Sequence, residues 1–266
     1  MRGRTASWWK PARPPPMPDE LTEDRLLGGK VRLRQSRDGY RAAIDPVLLA
    51  AALSLRAGER VLDLGTGTGA AALCLMARVE GLSVVGLEID AATAALAREN
   101  AALNGRDGFQ VRDGDVASLP ADLRGFDQVM TNPPFLEPRR ADPSPDPGRR
   151  RSTVDAGGLE VWIEAALTAA SPRGVLTVIQ RADRLGDLLA LLEGRVGGVV
   201  VVPLWPKAGR EAKRVIVQAR RGSRKPLRLH PGLVLHRADG SYTEAADAIL
   251  RGGPFELGEL SPVRSA

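Results

Sequence analysis

The chain has 266 residues, 43% of them apolar and 26% charged, which is enough to bury a core and argues against wholesale disorder. One cysteine, Cys74, excludes an internal disulfide and a thiolate zinc site, and two histidines without a nearby carboxylate cluster argue against a metal. Thirty-eight Lys and Arg against 32 Asp and Glu leave a net charge of +6, which favours a polyanionic partner.

Residues 1–20 carry Pro11, Pro14, Pro15, Pro16 and Pro18 and read as a disordered arm. They have no apolar stretch of the secretory kind, and no run in the chain approaches the roughly 18 residues of a membrane span, so a cytoplasmic location is expected. Ile44 to Leu55 reads as a helix with Asp45 as N-cap and Pro46 at its first position. From residue 58 onward strand-length apolar runs alternate with helical segments. Strands are expected at 60–64, 83–88, 109–112, 126–131 and 174–179, with helices at 70–79, 91–104, 159–170 and 184–192. Asn104-Gly105 closes the second of these helices. That alternation predicts an α/β fold with a mostly parallel twisted sheet and helices on both faces. The runs 199–204 and 214–220 have no long helix between them and are expected to pair antiparallel. A strand, a turn at Asp239-Gly240 and a short helix are expected within 229–251. The simplest partition is one domain, 21–253, comprising an entrance segment 21–57, a core 58–221 and an extension 222–253, followed by a tail 254–266.

Where the first strand turns into the first helix stands Asp63-Leu64-Gly65-Thr66-Gly67-Thr68-Gly69. Glycines there permit a sharp turn and let a ligand approach backbone that a Cβ would shield. Gly65, Gly67 and Ala70 also satisfy a dinucleotide pattern. Two acids tilt the reading. Asp63 would repel a pyrophosphate but suits a cationic amino-acid portion of a ligand, and Glu88, closing the second strand, has two oxygens to accept both hydroxyls of a ribose. This pattern resembles the nucleotide pocket of class I S-adenosylmethionine-dependent methyltransferases, whose Rossmann-like fold it implies. By that resemblance the turn receives the methionine part of the cofactor, Ile89 packs on the adenine, and Asp115 accepts from the adenine amino group. The alternative for Asp113 and Asp115 is a turn pair capping local amides.

After the fourth strand comes Asn132-Pro133-Pro134-Phe135. Two consecutive prolines remove two donors and stiffen the chain. A conjugated amine is a poor nucleophile because its lone pair is delocalised. The Asn132 side-chain oxygen and the Pro133 carbonyl can both accept from such an NH₂ and draw it towards tetrahedral geometry, while Phe135 stacks on a flipped base. The alternative is an Asn-Pro turn with Phe135 filling the core. The tetrapeptide resembles the signature of amino-methyltransferases.

Three segments are basic: 25–41, with Arg25, Lys30, Arg32, Arg34 and Arg37; 137–151, with Arg139, Arg140, Arg149, Arg150 and Arg151 among prolines; and 205–230, with nine cations against Glu211. A small metabolite does not need three basic surfaces, whereas phosphates do. Taken with Gly39-Tyr40-Arg41, Ile44 to Ala50, Lys213-Arg214-Val215 and Gly240-Ser241-Tyr242-Thr243, the motifs resemble the bacterial tRNA(Val) adenine N6-methyltransferase family from about residue 20 to 253. That resemblance implies methyl transfer to N6 of an adenosine beside the anticodon of tRNA. It implies Tyr40 and Asp45 at the cofactor's entrance and Lys213 and Arg214 facing the RNA. The rivals on the same fold are a ribosomal RNA guanine-N2 methyltransferase and a protein glutamine N5-methyltransferase. A rival of another class is a non-catalytic RNA-binding protein.

Overall fold

A computed structural model describes residues 21–37, 41–134 and 158–258. Leu21–Leu26 (β1) and Val31–Ser36 (β2) form an antiparallel hairpin around Leu27, Gly28 and Gly29, all at positive φ. Along β2 the period of two turns Val31, Leu33 and Gln35 inward, and Arg32 stands outside with Arg34 half-exposed. This hairpin was not expected from the sequence. Its signal was present in Gly28-Gly29 between two alternating runs, but the charges drew the reading towards a basic surface. Arg32 instead pairs with Glu23 across the hairpin at 2.9 Å, with Arg34 3.9 Å from the same carboxylate.

The elements of the core follow the expected order. They are Asp45–Ala52 (α1), Arg60–Leu64 (β3), Ala70–Arg78 (α2), Ser83–Glu88 (β4), Ala91–Leu103 (α3), Phe109–Asp113 (β5), Phe126–Thr131 (β6), Gly158–Ala169 (α4), Ala170–Arg181 (β7), Leu185–Leu192 (α5), Val196–Lys207 (β8) and Arg214–Arg221 (β9). Arg228–Leu229 (β10), Leu233–His236 (β11) and Glu244–Leu250 (α6) complete the chain. One sheet takes the order β5-β4-β3-β6-β7-β9-β8, with β10 and β11 one after the other on the outer edge of β8. Every neighbouring pair is parallel except β9, which runs antiparallel between β7 and β8. The expected antiparallel pairing is therefore observed, inside the sheet rather than at its border.

Alternation along the strands divides the core. Val61, Val84, Met130 and Ile216 face α1, α2 and α3, whereas Leu62, Leu87, Val129 and Val217 face α4 and α5. The strands are apolar on both sides because both faces are covered. Asn104 ends α3, and the amide of Arg106 returns to the Ala101 carbonyl at 2.9 Å across Gly105, whose φ is 60°. One expectation is corrected. Asp45 is the first residue of α1, not its cap: Ile44 holds that position, and the Asp45 carboxylate accepts from Arg214 Nε at 3.2 Å. An ion-pair partner across the fold outcompetes the local amides.

Candidate active site

Parallel register brings the strand ends to one rim. Leu64 lies level with Leu87 and Thr131, and Glu88 with Asp113. The glycine turn, Glu88, Ile89, Asp115 and Asn132 all follow directly from these ends, where α/β sheets bind ligands.

The turn is built by hydrogen bonds to the next strand. The amides of Gly65 and Thr66 both donate to the Leu87 carbonyl, at 2.9 and 3.0 Å. Gly65 is required twice: its φ is +68°, and a Cβ there would lie 2.6 Å from the Trp162 ring, which α4 lays beneath it. Gly67, at φ +58°, has the opposite surroundings, since a Cβ would meet nothing within 4 Å. Open space above Gly67 is the cradle that an approaching ligand needs. Gly69, at φ +86°, starts α2.

Asp63 is 2% exposed and accepts from Thr66 Oγ1 at 2.7 Å. Burial pushes its carboxyl up to about 7, the Thr66 hydroxyl opposes this, and the charge of Glu88 adds to it. Glu88 accepts the Gly67 amide on one oxygen at 2.9 Å and the Asp90 amide on the other at 3.0 Å. Burial raises its pKa as well, against those amides. Each Glu88 oxygen keeps a second acceptor site for a hydroxyl. Ile89 follows with 67% of its surface exposed, an apolar side chain on the rim with no core to fill. Asp115 uses one oxygen to cap a short turn, accepting the Ala117 amide at 2.9 Å, and Asp113 pairs with Arg98 at 3.0 Å. The local capping alternative is thus realised for Asp115 through Oδ1, and Oδ2 accepts no hydrogen bond among the described residues.

Asn132 stands one residue past β6. Its Oδ1 is buried and has no hydrogen-bond partner among the described residues. Thr131, immediately before it, is anchored by a hydrogen bond from its hydroxyl to the Leu64 carbonyl at 2.9 Å. Pro133 is buried and Pro134 half-buried. Tyr40, Phe135, Arg139, Arg140, Arg149, Arg150 and Arg151 lie outside the described residues.

The basic stretch 205–230 is not one surface. Because β8 and β9 are antiparallel, Lys207, Arg210, Lys213 and Arg214 reach the rim that carries the glycine turn, whereas Arg220, Arg221, Arg224 and Lys225 lie at the opposite edge. Lys213 is exposed, but Arg214 is held by Asp45. Two contributors to the rim were missed in the sequence: Trp162 under Gly65, and Asn100, which is wholly buried on α3 and donates to the Thr68 carbonyl at 3.0 Å. A rare aromatic and a polar residue within an alanine-rich helix were their only signals. Among the described residues no group of three His, Cys, Asp or Glu gathers as metal ligands, and no helix is long and apolar enough to cross a membrane.

Comparison with known proteins agrees with this geometry. The profile of the methyltransferase small domain matches residues 42–144. A tRNA1(Val) (adenine(37)-N6)-methyltransferase of Porphyromonas gingivalis is 33% identical over 203 residues, covering 70% of this chain and 75% of its own length. One from Aeromonas salmonicida is 27% identical over 220 residues, 80% of this chain and 89% of its own. Among solved structures, a predicted O-methyltransferase from Agrobacterium tumefaciens superposes with a TM-score of 0.66 at 26% identity, over 79% of this chain and 98% of its own. A SAM-dependent O-methyltransferase from Thermotoga maritima, with a TM-score of 0.51 at 18% identity over 71% and 68%, shares the fold. The expected Rossmann-like methyltransferase architecture is the observed one, and with a third of the aligned residues identical over 70% of this chain and 75% of the relative the chain belongs to the tRNA1(Val) (adenine(37)-N6)-methyltransferase family.

Proposed function

We propose that this protein transfers the methyl group of S-adenosylmethionine to the exocyclic N6 nitrogen of an adenosine in tRNA, in the cytoplasm where tRNA resides. The observation that carries the reading is the buried, partnerless Oδ1 of Asn132 on the rim beside the glycine turn. A buried amide oxygen without a donor costs about 1–3 kcal/mol, and an amine of the substrate is the donor that removes this cost.

The residues present fit the cofactor: open space over Gly67, free acceptor sites on Glu88, and exposed Ile89 beside them. When bound, it supplies an activated sulfonium methyl. Gly65, Gly67 and Gly69 admit its methionine portion, and the Asp63 carboxylate favours the positive charge. Glu88 accepts from the ribose hydroxyls, Ile89 covers the adenine, and Asp115 accepts from the adenine amine through Oδ2. Asp45 and Tyr40 border the entrance. Asn132 Oδ1 and the Pro133 carbonyl would each accept a hydrogen bond from one N–H of the target amine, which draws the nitrogen towards tetrahedral geometry with its lone pair free for the methyl group; after transfer the methylated nitrogen would release one proton to water, with the donor sulfur left as a thioether. Pro134 stiffens that turn, and Phe135 stacks on the base. Lys213, Arg214 and the arginines at 139, 140, 149, 150 and 151 meet RNA phosphates. The relatives' tRNA substrate supports the same partner.

Incubation with labelled cofactor and total RNA from a strain lacking the protein, followed by digestion and mass spectrometry, tests the reading. N6-methyladenosine in the tRNA fraction is expected; N2-methylguanosine, or label in protein alone, overturns it. Asn132→Ala lowers the transfer rate by about 10²–10³ with cofactor affinity unchanged. Undiminished turnover removes Asn132 from the chemistry.

A further inference from the structure

Far along the same rim, at the outer end of β8 and β11, lies an aromatic pair that the transfer chemistry does not use. Tyr242 stacks on His236, with ring centroids 4.9 Å apart and planes inclined by 26°, and is 37% exposed. The backbone of the two residues forms an antiparallel bridge. The imidazole is fixed: its Nδ1 lies 3.2 Å from the Pro206 carbonyl, which can only accept, so Nδ1 carries the proton.

The turn carrying Tyr242 is tightly constructed. Gly240 takes φ +92°; Asp239 Oδ1 accepts from the amide and hydroxyl of Ser241 at 2.9 and 2.7 Å; Thr243 donates its hydroxyl to the Val234 carbonyl at 2.6 Å and caps α6 through Ala246. Gly240, Ser241 and Thr243 thus each have a structural reason. Tyr242 has none of this kind, and its hydroxyl has no hydrogen-bond partner among the described residues. The turn holds one aromatic face towards solvent.

Cations stand on the elements beside that pair. Lys207, in register with His236, donates to the Ala238 carbonyl at 2.8 Å, and Arg210 and Lys213 stand exposed on the β8–β9 turn. Of the nearby acids, Glu244 lies 3.5 Å from Arg237, and Asp239 serves the turn, its carboxyl held below the usual range first by Ser241 and then by Arg237 and Lys207. Glu211 stands on the β8–β9 turn with Arg210 and Lys213, and Asp247 on α6 pairs with Arg251 at 2.7 Å. A rigid π-face among lysines and arginines has the chemistry of a stacking site for an unpaired base.

We propose that Tyr242 on His236 is a platform for an unpaired base of the RNA substrate, away from the methylated nucleotide. Register gives the separation. Val201 is level with Val217, Val178 and Thr131, so Lys207 lies six residues further along and three strands across, and His236, level with Lys207 on β11, four strands across. At about 3.3 Å per residue and 4.8 Å per strand this is on the order of 25 Å from Asn132, beyond reach of the reacting base. The platform rests on the RNA-methyltransferase reading but acts on RNA affinity rather than on transfer.

The test is fluorescence anisotropy of the full chain with a labelled, unmodified tRNA transcript, with cofactor affinity and melting temperature measured in parallel. Tyr242→Leu keeps an apolar contact on His236 and removes the π-face. It should weaken tRNA binding by about 5- to 30-fold at fixed salt and leave both cofactor affinity and the salt slope unchanged. Tyr242→Phe should stay within about threefold of wild type. Lys213→Gln, a change at an exposed side chain, should instead reduce the log–log salt slope by about 0.7. Unchanged tRNA affinity of a normally folded Tyr242→Leu protein overturns the platform, as does an equal loss in Tyr242→Phe. If Tyr242→Leu melts early, ultraviolet crosslinking of the wild-type chain to the same tRNA decides: a mapped crosslink at Tyr242 is expected, and crosslinks that leave the Tyr242 peptide unmodified overturn the platform. Failure of the platform with N6-methyladenosine still formed leaves the methyltransferase reading standing; wild-type protein that neither binds nor methylates tRNA removes both.

Discussion

Asn100 Nδ2 donates to the Thr68 carbonyl at 3.0 Å and to the Arg34 carbonyl at 3.0 Å, while Asn100 Oδ1 accepts the Arg34 N–H at 2.8 Å. One wholly buried side chain therefore joins the glycine turn to the N-terminal hairpin through α3.

Replacing Asn100 by alanine leaves three partly buried backbone groups without this partner. A loss of about 1–3 kcal/mol in unfolding free energy is expected, with a weaker affinity for S-adenosylmethionine than the stability loss alone explains. Asn104→Ala, one turn away, touches only Arg32 and the helix itself and should leave cofactor affinity intact. Chemical denaturation paired with calorimetric titration separates the two, and equal cofactor affinity in both variants refutes the brace.

Asp63 sets a pH dependence whose sign follows from its raised pKa of about 7. The folded chain holds this proton where the unfolded chain, near the ordinary 3.8, has released it. Its contribution to stability is therefore fully present below about 4 and is lost as pH rises through 7. Cofactor binding should run the opposite way, strengthening as the carboxylate forms. Asp63→Asn should flatten both profiles between about 4 and 7, read by denaturation and by cofactor titration across that range. A variant with the wild-type profile would assign the effect to another group.

Gly65→Ala tests the fit between the turn and α4. A positive φ costs a side chain about 1–2 kcal/mol, and the Trp162 ring at 2.6 Å from the new methyl adds strain of about 1–3 kcal/mol. A lowered melting temperature is expected. Trp162→Leu in the same chain should restore part of it, because it removes the obstacle without changing φ; strictly additive losses in the double variant would contradict this.

Ile89→Ala is the complementary case. With two-thirds of the side chain exposed, its removal should change stability by less than about 0.5 kcal/mol. If it covers the adenine, cofactor affinity should fall by about tenfold. Equal affinity in a calorimetric titration would return Ile89 to the ordinary surface.

The central strands were legible in the sequence because burial on both faces leaves unbroken apolar runs, each ended by a sharp polar or glycine signal. Arg60–Leu64, Ser83–Glu88 and Phe126–Thr131 have the bounds that the sequence suggested. Glycines, Asp63, Glu88 and Asn132 could be placed on one rim because parallel register follows from alternation. The hairpin was hidden by its charges, since a strand in which Arg32 and Arg34 alternate with Val31 and Leu33 looks like a basic patch until the partner acid, Glu23, is found across it. Asp45 was misread for the same reason, its partner Arg214 lying far along the chain. The division of residues 205–230 between two edges depends on where the β8–β9 turn falls, which composition does not encode.

Asn100 and Asn104 sit one helical turn apart, and the residues they serve, Arg34 and Arg32, alternate along β2. Their amides stand where a neighbouring strand would otherwise lie, occupying the outward N–H and C=O groups of a two-stranded ribbon. Along its β2 edge the hairpin therefore offers no open template at Arg32 and Arg34 for a second molecule to extend.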